Sequence, residues 1–218
     1  MKQHFYILAL LSLVYCSKES KTNSEILKED SAVLVANDSL ATENIQTATG
    51  NLSKEETFKV LNNEILSTLK SKDFRKFSNY IHPEKGVRFS MYGYTQPKTD
   101  KLFSKEEFVK YEPTNIKFTW GEKDGTGDPL VLSIKDYLNK WVFVKDFTKS
   151  EYSENSIKAV GNSINNMKEI YPNSTFTENY IKGTEEYGEM DWNSLRFVFE
   201  ELYGTYYLVA VINDQWTT

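Results

Sequence analysis

Apolar positions follow three regimes along this chain. Residues 5–15 (FYILALLSLVY) are almost wholly apolar, residues 17–53 almost wholly polar, and beyond Ser53 apolar residues recur at helical or strand spacing. Ser53-Lys-Glu-Glu56 has the spacing of a capping box, with a hydroxyl at the cap and a carboxylate three residues on. Behind it Phe58, Leu61, Ile65 and Leu69 share one helical face, which predicts a helix ending near Ser71 to Asp73. Asp73 is placed to cap a second short helix carrying Phe74 and Phe77, closed by His82-Pro83. Val87, Phe89 and Met91 then alternate as a strand.

A second capping box, Ser104-Lys-Glu-Glu107, predicts another short helix. Ile116, Phe118 and Trp120 alternate as a strand, and Gly121 to Pro129 is rich in turn formers. Ser133 is placed to cap a helix with Ile134, Tyr137, Leu138 and Trp141 inward. Between Phe147 and Ser174 the pattern weakens, and a strand near Ile157 to Val160 and a helix near Ile164 to Ile170 are expected. Thr175 to Ile181, Trp192 to Glu200 and Tyr206 to Ile212 read as strands, the last two around Gly204. Leu195, Phe197 and Phe199 alternate with Arg196 and Glu200, so the first of this pair has one apolar face. The second is apolar on both faces, which predicts a central position in a sheet. Helices followed by a run of strands predict an α+β fold.

The boundaries that follow are 1–15 for a leader, 16–52 for a tether and 53–218 for a globular domain. The tether has no aromatic and no proline, so it cannot bury enough apolar surface to offset its ordering entropy. Its one apolar run is Ser31 to Ala36 (SAVLVA). Aromatics make up 14% of the chain, enough for a β-containing core. Charge is mixed, with 26 Lys and Arg against 31 Asp and Glu, and no basic cluster that would bind nucleic acid. Cys16 is the sole cysteine, so disulfides and zinc–thiolate sites within the chain are excluded.

Lys2, the apolar stretch from Phe5 to Tyr15 and then Cys16 resemble a bacterial lipoprotein signal, with Leu13 and Val14 fitting its lipobox. The resemblance implies lipidation at Cys16 and a membrane partner through that anchor. Ser17 follows the cysteine where some such proteins carry an Asp as an inner-membrane retention signal. By the same resemblance the expected location is the bacterial cell envelope, at the outer membrane.

The order helix, helix, strand, helix, then antiparallel strands resembles NTF2-like domains. So does the closing segment Leu195-Arg-Phe-Val-Phe-Glu, Gly204-Thr-Tyr-Tyr-Leu-Val and Asp214-Gln-Trp. The resemblance implies N-terminal helices packed on a curved antiparallel sheet, forming a cone with a pocket at its mouth. It covers the ends of the domain better than Gly121 to Ser174. Two stretches, His82-Pro-Glu-Lys-Gly-Val-Arg-Phe-Ser and Met190-Asp-Trp-Asn-Ser-Leu-Arg, also look like segments of uncharacterised exported bacterial proteins.

Candidate chemistry is sparse. Asp191, Trp192, Arg196, Asp214 and Trp216 cluster around the terminal hairpin. Arg196 sits mid-strand, so its charge either faces water or enters a pocket beside a carboxylate. Tyr92 and Tyr94 are placed to line the same mouth. His82 is the only histidine beyond the leader, and beside Pro83 it reads as a capping or turn residue. Asp124-Gly-Thr-Gly-Asp128 lacks the spacing of a calcium loop and reads as a turn. Neither a metal nor a cofactor is expected. The preferred reading is a binding domain for a small molecule, a glycan or a protein partner, without catalysis. The alternative is a small NTF2-like hydrolase or isomerase with His82 or an Asp as general base.

Overall fold

A computed structural model of the chain describes residues 52–159 and 164–218. The leader, Cys16 and the tether up to residue 51 lie outside the described residues.

Helix α1 (Lys54–Ser71) starts at Ser53, whose Oγ accepts the Glu56 amide while Glu56 accepts the Ser53 amide. It ends where Lys72 turns into the left-handed region at φ 60°. Its stripe of Phe58, Leu61, Ile65, Leu66 and Leu69 is buried. Asp73 caps the short α2 (Phe74–Phe77), and the first strand β1 (Val87–Ser90) follows. Strand β2 (Lys101–Phe103) leads into α3 (Lys105–Tyr111), which opens on the Ser104 capping box. Strands β3 (Lys117–Glu122) and β4 (Pro129–Ser133) form a separate two-stranded sheet. Helix α4 (Ile134–Tyr137), capped by Ser133, widens into a π turn over Leu138–Val142.

Strand β5 (Glu151–Glu154) lies earlier than expected, and Ile157 to Ala159 form no strand; Val160 lies outside the described residues. Helix α5 (Met167–Ile170) precedes β6 (Thr175–Ile181), β7 (Asn193–Leu202) and β8 (Thr205–Gln215). Strands β2 and β4 were not among the sequence expectations. Each is short and flanked by turn or cap residues, which hides a period of two.

The fold is α+β. Its main sheet has six strands in the order β2-β1-β8-β7-β6-β5. The expected antiparallel sheet is in fact mixed, because β1 and β8 run parallel. Parallel neighbours need a long crossover, and the whole of the chain between them supplies it. β8 lies between β1 and β7, as its two apolar faces predict.

Each face of the β7–β8 pair is buried. Leu195, Phe197, Phe199, Leu208 and Val211 join the core that contains α1. The Phe58 ring lies 5.5 Å from Phe199. Asn62 of α1 and Asn179 of β6 exchange side-chain hydrogen bonds at 2.9 and 2.8 Å, and Thr177 donates to Asn62. These buried amides fix how α1 sits along β6, since a slip would leave them unpaired. On the opposite face Phe176, Val198, Val209, Ala210 and Ile212 form a second core with Met167. A register shift between Val198 and Phe199 leaves Val209 as the extra residue of a bulge.

Candidate functional site

The strongest polar feature lies on the sheet face opposite α1. The ladder sets Glu178 of β6 directly across from Arg196 of β7, and Ser194 across from Asp214 of β8. Arg196 therefore stands between two carboxylates. Its Nε donates to Glu178 Oε1 at 2.9 Å, and its Nη2 to Asp214 Oδ2 at 2.9 Å. Further donors compensate the second negative charge. Ser194 Oγ donates to Glu178 at 2.7 Å, the Lys158 amide also reaches Glu178, and the Gln215 amide donates to Asp214. Arg196 and Glu178 have no solvent exposure, and Asp214 has 4%. The third guanidinium nitrogen, Nη1, has no acceptor among the described residues.

This corrects the one-faced reading of β7. Arg196 neither faces water nor lines an open mouth; it is sealed in an ion triad. Glu178 was missed in the sequence, where the available signal was a lone carboxylate in the middle of a strand. Gly93 packs its backbone against the triad, and a Cβ there would lie 2.6 Å from Asp214 Oδ2.

The other candidates scatter around this centre. Trp192 precedes β7, is buried, and lies 6.3 Å from the Tyr180 ring, its indole N–H without a partner among the described residues. Trp216 follows β8 and is partly exposed. Asp191 accepts the Thr184 amide, which holds its carboxyl below the usual range, and lies 3.7 Å from Lys145. Tyr92 accepts the Asp124 amide at 2.8 Å and sets its ring against Trp141. Tyr94 is half exposed. The structure thus joins Arg196 to Asp214, sets Tyr92 and Tyr94 on either side of the Gly93 that packs on Asp214, and ties Asp191 to Thr184 and Lys145 instead.

His82 serves the turn after α2. Its Nδ1 accepts the Glu84 and Lys85 amides, both at 3.1 Å, and its backbone N–H donates to Leu208. Burial, and then Lys85, lower its pKa. None of these partners is Asp191, Trp192, Arg196, Asp214 or Trp216. Among the described residues no group of three or more His, Cys, Asp or Glu is placed to hold a metal ion.

One step along the same face lies a cleft of about 300 Å³. Its floor is Phe176 and Val198, a cross-strand pair next to Glu178 and Arg196. Residues two apart on a strand are about 7 Å from each other, so the triad borders the cleft floor. Met167 and Tyr171 form apolar walls, and Asn155, Lys168 and Ser174 supply polar groups. Asn155 adopts φ 50°, which Asn tolerates better than most residues. Its backbone N–H and side-chain oxygen both bond Phe176, at 2.9 and 3.1 Å, so rim and floor are tied together. No residue of this cleft was singled out in the sequence, because its walls come from the stretch with the weakest pattern.

A site of this kind can hold a small apolar body against Phe176 and Val198 and orient polar groups at the rim. The carboxylates beside it are already engaged by Arg196, so they are poorly placed to act as bases. No protein-family model matches the sequence, and a comparison with curated proteins finds no match.

Proposed function

We propose that this chain is a lipid-anchored protein of the bacterial cell envelope, held at the outer membrane through Cys16. In this reading its domain is of the NTF2-like kind and binds a small molecule, a glycan or a short segment of a partner protein. The observation that carries the binding role is the cleft over Phe176 and Val198, apolar at its floor and polar at its rim. The order of elements from α1 to β8 supports the NTF2-like cone. The lipid anchor rests on Lys2, the apolar run and Cys16. Binding is preferred to catalysis because His82 spends Nδ1 on its own turn and Asp214 spends an oxygen on Arg196.

Two measurements test this. Intact-mass analysis of the protein taken from its native membrane should show an acylated chain beginning at Cys16; an unmodified chain refutes the anchor. Ligand-observed NMR with a panel of glycans and aromatic fragments should find binders that Ser174→Trp abolishes and Tyr94→Ser does not. Binding that Ser174→Trp leaves unchanged would move the site away from the cleft.

A further inference from the structure

The β7–β8 hairpin closes on a two-residue turn, with Leu202 paired to Thr205. Tyr203 and Gly204 form it at φ 50° and 79°. Such turns favour Asn followed by Gly, because the first residue must also enter the left-handed region. A tyrosine there is locally unfavourable, and its ring gains nothing from the fold: Tyr203 is 89% exposed. It is the most exposed large hydrophobic side chain among the described residues.

The same end of the molecule receives the chain from Cys16. Lys54, at the start of α1, sets its Nζ 5.9 Å from the ring of Tyr206, and the Phe58 ring lies 4.6 Å from that ring. Tyr206 follows Tyr203 by three residues, about 10 Å along an extended strand. Leu52, just before the helix, is also exposed. The entry of the tether and the tip of the hairpin are thus neighbours.

We propose that this end of the domain docks on the bilayer that holds the anchor, with Tyr203 seated in the headgroup layer. The inference rests on lipidation at Cys16. Tyrosine suits the membrane interface, since its ring is apolar and its hydroxyl stays wet. A single aromatic would not hold a free protein to a membrane. Here the anchor makes docking intramolecular, so a weak contact suffices. Lys54 stands beside Glu55 and interacts with Glu154, and Glu201 pairs with Tyr206 across the hairpin, so the surface offers no net positive charge and fits zwitterionic lipid.

The test uses the full chain, purified from membranes, with acylation confirmed by mass, in phosphatidylcholine vesicles. The indole introduced by Tyr203→Trp is read as the difference from wild-type emission. Lipid brominated near the headgroup should quench that difference at least twofold. Energy transfer from the domain to a lipid dye should fall in Tyr203→Asn, a change that suits the turn and keeps the fold. An acylated chain with no quenching, or with energy transfer unchanged in Tyr203→Asn, overturns the docking while the anchor stands. A chain without acylation removes the anchor and the docking together.

Discussion

The guanidinium of Arg196 meets the carboxylate of Asp214 at 2.9 Å, with both groups buried between β7 and β8 on the face away from α1. Glu178 grips the same guanidinium from the other side, so two carboxylates share one cation. A buried charge is tolerated only while it is paired, so each member depends on the others.

Arg196→Met should therefore destabilise the domain by about 3–5 kcal/mol, because it leaves two carboxylates buried without their cation. Replacing Glu178, Arg196 and Asp214 together by Met or Leu should cost less than the single change. Urea melts of the two variants give the comparison. A triple variant less stable than Arg196→Met would mean that the Ser194 and Lys158 donors, left without an acceptor, outweigh the charges.

Gly93→Ala should cost about 1–3 kcal/mol, since the new methyl meets the Asp214 carboxylate at 2.6–3.0 Å and the triad holds that group in place. The backbone angle at Gly93 is not the reason, because it does not lie in the left-handed region. Asp214→Ala removes the colliding group, so the two changes combined should cost less than their sum. A double-mutant cycle with additive energies would show that Gly93 shifts freely.

Stability should fall on acidification through the range set by His82. Burial lowers its folded pKa below the unfolded value of about 6.5, so the neutral ring is the folded form. Its contribution is complete above about pH 6.5 and is lost as pH falls towards the lowered folded pKa. Protonation at Nδ1 would also displace the Glu84 and Lys85 amides. His82→Asn should flatten the stability change between about pH 7.5 and 5.5 in chemical melts. A slope in that range that survives the substitution would assign it to other groups.

The helix starts were legible because caps are local. Ser53, Ser104 and Ser133 each lie three residues before the amide they bind, and each caps a helix where the pattern placed it. The period of two likewise located β1, β3 and β7. The cleft was illegible for the opposite reason. Asn155, the pair Met167 and Tyr171, and Phe176 come from three short pieces with no common periodicity, joined only by folding.

By itself the sequence determined where the capped helices begin, which of the longer segments are strands, and that β8, apolar on both sides, belongs inside a sheet. Those properties depend on neighbours three or four residues away, or on alternation within one strand. Tertiary structure alone decided that β1 runs parallel to β8, that Glu178 faces Arg196, and that the second face of β7 is covered rather than wet. Strand pairing and burial join residues far apart in the chain, and a mid-strand arginine reads the same whether water or two carboxylates wait across the sheet.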